Sequence, residues 1–335
     1  DIDNAMIELD GKEDKSNLGA NAMLAVSLAV ARAGAKSSGK ELYEYIAELS
    51  RNNNLVLPIP SFNIINGGVH AGNELDFQEY MIMPVGAKDF SEALRIGSEI
   101  YHHLKHIIKS KYGKSATNVG DEGGFAPPLK KPEEPLELMI KAARAAGHLK
   151  KIKFAIDAAA SEFYKNGYYI LNGKHLKPEE LMHVYLGLIE KYPIVSIEDP
   201  FDQEDFESFA KLKENAKNVQ IVGDDLLVTN SKRIITALTN NSCNALLLKV
   251  NQIGTLTESL DAAKLAMDNN WNVMVSHRSG ETTDSFIADL VVGLGSGQIK
   301  SGAPCRGERL AKYNQLLRIE EYLGKKAKYS EFKIK

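Results

Sequence analysis

Beyond residue 150 the apolar residues come in short, unbroken runs: "KFAID", "IVSIED", "VQIVGDD", "ALLLK", "VMVSH" and "GQIK". Between most of them lie stretches of helical spacing, such as "PEELMHVYLGLIEKY", "SKRIITALTNN" and "TLTESLDAAKLAMDNN". Continuous apolar strands alternating with helices imply parallel strands buried on both faces. Residues 51–150 read differently. Two strand-like pieces, "SFNIING" and "FQEYMIMPV", are joined by the Gly-rich "GGVHAGNEL", which leaves no room for a helix, and two helical patterns follow. The total is eight strands, ordered strand–strand–helix–helix and then six strand–helix units. That count predicts a closed α/β barrel, with an open doubly wound sheet as the alternative; no Gly-x-Gly-x-x-Gly turn follows the first strand. Ahead of the barrel, residues 17–34 predict an Ala-rich helix capped by Ser16 or Asn17 and stopped by Gly34, and "KELYEYIAELS" a shorter one. The polar "RNNN" places a boundary between a helical segment, 1–50, and a barrel domain, 51–335.

The residues that end the six later runs are Asp157, Glu198, Asp224, Lys249, His277 and Lys300, in steps of 41, 26, 25, 28 and 23 residues. A barrel repeat averages roughly 30 residues. One polar residue at a strand end is ordinarily the start of a loop. Six in succession, all at the end where barrel enzymes carry their chemistry, point to a site. Asp157, Glu198 and Asp224 would repel one another unless compensated. A hard divalent cation with oxygen ligands is one solution, and without Cys or His among the three, magnesium suits better than zinc. Pairing with Lys249 and Lys300 is the other, and both can hold. Lysines beside a dication are expected to have depressed pKa values and so to accept protons.

"VGDEGGFAPP" holds Asp121 and Glu122 between glycines, either as a carboxylate brought close to a ligand or as a plain acidic turn. Gln78 and Glu79 of "FQEY" sit beside the barrel mouth. His70 lies in "NGGVHAGN", a candidate lid, and Arg278 with Ser279 in "SHRSGE" suits a phosphate or carboxylate. His102 and His106 are four apart on one helix, the spacing of a partly exposed face.

Composition narrows the classes. The 335 residues are 44% apolar and 25% charged, with net charge −3 and no basic stripe, which excludes nucleic acid as an expected partner. No apolar run approaches the roughly 18 residues of a membrane span. Cys243 and Cys305 are far apart, so a reducing, cytoplasmic setting is expected rather than a disulfide scaffold.

In order, "NGGVHAGN", "VGDEGGFAP", "SIEDPF", "LLLKVNQIGT", "VMVSHRSGET" and "GQIKSGAPCRGERLAKYNQLLRIEEYLG" resemble the enolase family over essentially the whole chain. The resemblance implies reversible, magnesium-dependent dehydration of 2-phospho-D-glycerate to phosphoenolpyruvate in glycolysis, by a homodimer. It implies Lys249 as base, Glu122 as acid with Glu79 beside it, and Asp157, Glu198 and Asp224 as metal ligands. His70, Glu79, Glu198, Asp224, Ser276, His277, Arg278, Ser279 and Lys300 are then the substrate-binding set. A lysine base with magnesium is a general pattern of the enolase superfamily. Val69, Pro128 and Gly307 replace residues usual in the family. The family's N-terminal β-meander and serine loop have no counterpart before the helices, so a chain shortened at its start is expected. Two alternatives remain: another magnesium-dependent acid-sugar dehydratase, and a non-catalytic, plasminogen-binding role at the cell surface through terminal lysines such as Lys333 and Lys335.

Overall fold

The computed structural model describes residues 1–68 and 71–335. Helices α1 (Ile2–Asp10), α2 (Ala20–Ser37) and α3 (Leu42–Ser50) precede the barrel. The barrel is built from β1 (Ile59–Asn66), β2 (Glu79–Met83), β3 (Lys153–Asp157), β7 (Ile194–Glu198), β8 (Gln220–Gly223), β9 (Ala245–Leu248), β10 (Asn272–Ser276) and β11 (Gly297–Lys300). These close in the order β1-β11-β10-β9-β8-β7-β3-β2. The wall carries α4 (Phe90–Tyr112), α5 (Glu133–Ala145), α6 (Pro178–Lys191), α7 (Phe206–Asn215), α8 (Ser231–Thr239), α10 (Leu256–Asp268), α11 (Phe286–Leu294) and α12 (Gly307–Leu323). The strand–strand–helix–helix start and the six later units are as the sequence predicts.

One strand runs against the rest. β2 pairs antiparallel with both β1 and β3, because the segment joining it to β1 is too short for a crossover helix. Reversal puts the first residue of β2, Glu79, at the mouth where the other strands end. Register then aligns Glu79 with Asp157, and Asp157 with Glu198.

The barrel strands are almost wholly buried, and their inward side chains form layers such as Val222, Ala245, Leu247 and Met274. At the closed end the lining turns polar. Gln220 bonds Gln298 (3.0 Å) and Asn272 (2.7 Å), and the carbonyls of Lys333 and Lys335 accept from Asn272 (2.8 Å) and Asn244 (3.1 Å). These bonds pair the buried amide side chains, as burial demands.

Two local expectations are corrected. α2 begins at Ala20 behind Gly19 and runs past Gly34 to Ser37, and Asn17 donates to the Asp10 carbonyl instead of capping α2 (2.6 Å). Gly34 is a contact point rather than a stop, since a Cβ there would lie 2.6 Å from the Tyr45 hydroxyl of α3. The long step between Asp157 and Glu198 holds a small sheet that the apolar pattern did not reveal, β4 (Tyr164–Lys165), β5 (Tyr168–Leu171) and β6 (Lys174–Leu176), packed through Tyr169 against Phe201. Also unforeseen is the four-residue helix α9 (Val250–Ile253) directly after Lys249. Among the described residues no helix is long and apolar enough to cross a membrane.

The leading helices are joined to the barrel through α3 and α11. Gly293 of α11 lets Ile46 and the Tyr43 carbonyl approach to 2.7 Å from where a Cβ would stand. Gly293→Ala is therefore expected to destabilise the chain by about 1–3 kcal/mol through overpacking. Gly187→Ala, at a helical glycine with open space around its Cβ position, should stabilise by roughly 0.5–1 kcal/mol. Urea unfolding of the two variants checks both signs.

Candidate active site

The mouth of the barrel is organised around one buried ammonium. Lys300, 2% exposed, ends β11 and donates from Nζ to Glu198 Oε1 (2.7 Å), Asp157 Oδ2 (3.1 Å) and Glu79 Oε1 (3.2 Å). Three donors meet three carboxylates, one from each of three adjacent strands. Burial alone would lower the Lys300 pKa, but the charges of Asp157, Glu198 and Glu79 hold it well above the usual lysine range. One cation does not balance three anions. Burial and the neighbouring carboxylates push Glu79 and Glu198 well above the ordinary carboxylate range, Glu79 chiefly against Glu122 and Glu198 against Asp157.

A second pair stands beside it. Lys249 Nζ bonds Asp224 Oδ2, while Gln252 of α9 donates to Asp224 Oδ1 (2.9 Å). The Lys249 amide bonds Thr229 Oγ1, which in turn donates to Gln252 Oε1 (both 3.0 Å). In this arrangement Lys249 is paired with a carboxylate, a different setting from the lysine beside a dication. Burial works to lower Lys249, but Asp224 at contact distance outweighs it and raises the pKa. Asp224 moves the opposite way: burial would raise it, and Lys249 and Lys300 hold it down.

Asp199 and Asp225 were not among the expected residues. Asp199 accepts from the amides of Asp224 (2.9 Å) and Asp225 (2.7 Å), so it braces the loop after β8 and fixes the direction of Asp224. Burial and Asp224 push Asp225 up to about 6. A carboxylate beside "GDD" and another inside "IEDP" were visible in the sequence, but the bracing role needs the two loops side by side.

Glu122, from the loop after β1–β2 and α4, is buried and accepts from Asn63 Nδ2 (3.0 Å) and Ser279 Oγ (3.1 Å). His277 Nε2 lies 3.4 Å from its Oε2. Burial lowers the His277 pKa against the pull of Glu122. Ser276 is buried, with its hydroxyl on the His277 carbonyl (2.9 Å), while Arg278 is exposed and reaches Asn251 Oδ1 (3.3 Å). So Glu79, Glu122, Asp157, Glu198, Asp224, Lys249, His277, Ser279 and Lys300 come together at one mouth. His70 lies outside the described residues.

The donor set fits a hard cation. Oxygen ligands predominate, carboxylates exceed ammonium groups, and Glu79 Oε2 is buried without a donor. Among the described residues two groups have ligand atoms within 4.8 Å of one another, namely Asp199, Asp224 and Asp225, and Glu79, Glu122 and His277. Asp199 spends both oxygens on backbone amides, which makes it a support for the first group rather than a free ligand. Asp157, Glu198 and Asp224 do not themselves form such a tight group here; Lys300 and Lys249 stand between them.

An α/β barrel with acids and lysines converging at the strand ends defines an enzyme-type site, and comparison with known families names the lineage. The family described as "Enolase, C-terminal TIM barrel domain" matches residues 54–335, and "Enolase, N-terminal domain" matches residues 1–46. The chain belongs to the enolase family.

The ammonium at the centre gives a direct test. In chelator-treated protein, Lys300→Met leaves three buried carboxylates without their donor and is expected to cost about 3–5 kcal/mol of stability near neutral pH. Those acids then have raised pKa values in the folded state only, so the native state holds the extra protons and stability rises as pH falls. The gap to wild type in urea unfolding should be larger at pH 8 than at pH 5.5. A constant gap would show that the carboxylates do not depend on Lys300.

Proposed function

We propose that the chain catalyses the reversible dehydration of 2-phospho-D-glycerate to phosphoenolpyruvate. The observation that carries this reading is the convergence of two kinds of group at one mouth: lysines gathered on carboxylates, and the buried carboxyl of Glu122, which accepts from Asn63 and Ser279 beside Glu79 and His277. Family membership supports it.

Asp157, Glu198 and Asp224 would hold magnesium, the ion their all-oxygen donor set suits. When bound, the ion supplies positive charge to the substrate carboxylate. Lys249, once neutral and released from Asp224, takes the proton from C2. The electron pair left behind spreads into the substrate carboxylate, next to the Lys300 ammonium, which lowers its energy. Glu122 then gives its proton to the C3 hydroxyl as the C3–O bond breaks, and water leaves. Arg278 and Ser279 suit the substrate phosphate, Arg278 because a guanidinium offers paired N–H donors to phosphate oxygens. Lys249 is paired with Asp224 here, and positive charge held at the carboxylates would favour the neutral form of Lys249 that accepts the proton.

Turnover is followed by the ultraviolet absorbance of phosphoenolpyruvate. Lys249→Ala and Glu122→Gln are each expected to lower kcat by about 10²–10⁴-fold, the usual size of a general acid–base contribution. Chelation should abolish turnover and added magnesium restore it. No phosphoenolpyruvate from wild type, or full activity in Lys249→Ala, would reject this function.

A further inference from the structure

Arg309 of α12 is 1% exposed and, among the described residues, has no carboxylate within hydrogen-bonding distance; Glu308 Oε1 lies 3.6 Å from Nε. Burying a guanidinium without a close counter-charge costs several kcal/mol unless its donors are used. Four of the five are used, on four acceptors in the two loops that carry Glu122 and Ser279, and Nε has no hydrogen-bond partner among the described residues. Nη1 bonds His277 Nδ1 and the Arg278 carbonyl (2.6 Å). Nη2 bonds the carbonyls of Ser279 (2.5 Å) and Asp121 (3.1 Å). Those contacts account for all four terminal N–H groups.

The bond to His277 has a chemical consequence. A guanidinium stays protonated and can only donate. Nδ1 must therefore be the acceptor, which places the proton of a neutral ring on Nε2. Nε2 is the atom that faces Glu122 Oε2 at 3.4 Å, and it has no other partner among the described residues. One turn further along α12, Lys312 is equally buried and bonds Glu281 Oε2 (2.8 Å), the Thr282 carbonyl (2.5 Å) and the Glu308 carbonyl (2.9 Å), holding the far end of the same loop.

We propose that Arg309 is a positioning residue: it fixes His277 as the Nε2–H tautomer, so that the imidazole donates toward Glu122. This rests on the reading of Glu122 as the acid. An N–H held at the carboxyl orients it and stabilises the carboxylate left once its proton is given up, and a lone pair there would do the opposite. Arg309 touches neither substrate nor reacting atoms, and its effect passes through His277 and the loop carbonyls.

The test joins ¹⁵N NMR of imidazole-labelled protein, with His277 identified by the signal lost in His277→Gln, to steady-state kinetics on 2-phosphoglycerate. Wild type is expected to show an unprotonated Nδ1 and a protonated Nε2. In Arg309→Met the Nδ1–H tautomer should appear, with kcat down about ten- to hundredfold and a smaller change in KM. Arg309→Lys, which keeps a permanent donor, should retain the wild-type tautomer and most of kcat. A proton on Nδ1 in wild type overturns the proposal even if Arg309→Met does not fold. So does an Arg309→Met protein that folds and keeps the Nε2–H tautomer. The NMR result needs no turnover, so absence of activity toward 2-phosphoglycerate would count against the proposed function and not against the tautomer.

Discussion

The mouth of this barrel depends on one ammonium group meeting three carboxylates out of water. Remove Lys300 and Glu79, Asp157 and Glu198 face one another across adjacent strands with nothing between them. An uncompensated set of that kind cannot remain ionised in a buried site. Strand order, register and the reversal of β2 bring the three carboxylates to one level, and Lys300 reaches them from the end of β11. The second ion pair, Lys249 with Asp224, is set just outside the first, and Asp199 fixes its carboxylate from behind. The positive charge of the site is thereby divided between two lysines that hold different acids. That division leaves Lys300 holding the ends of three strands whatever becomes of the Lys249–Asp224 pair.

Much of this was legible before any coordinates. Apolar runs ended by ionisable residues gave the strands and six groups of the mouth, since a strand end is a local feature and its side chain has only one place to go. Glu79 was legible as a neighbour of the mouth, though the sequence held no statement that β2 runs backwards; that followed from the short connection. What escaped were features created by packing. Gly34 looks like a helix stop and is instead the point where Tyr45 comes close. The residues between Asp157 and Glu198 lack the long apolar runs of the barrel strands, so their small sheet was hidden behind an unusually long step. The directions of the lysine pKa values come from ion pairs at contact distance, which the strand-end pattern alone does not reveal.

Arg309 and Lys312 show where the limit lies. Both occupy the inward phase of α12, in line with Tyr313, Leu316 and Ile319. A cation on the apolar stripe of a helix is a signal that could have been read. Its meaning could not, because the loops it holds leave strands far away in the chain. The rigidity of the mouth is supplied from the outside of the barrel by a helix that contributes no group to the reaction.

The separations in sequence of the Lys300 contacts bear on how the molecule reaches this state. Its three partners lie 221, 143 and 102 residues earlier in the chain. β11 also pairs with β1, joining Ser61 to Lys300. Contacts of such long range close large loops, and loop closure delays them relative to the local hairpin of β1 and β2. The acids on β2, β3 and β7 share a counter-charge that only the last barrel strand carries. A barrel without β11 has an uncompensated rim, and docking that strand removes the fault. Closure of the cylinder and neutralisation of its mouth are one event, so a chain that has not finished folding cannot present a finished site.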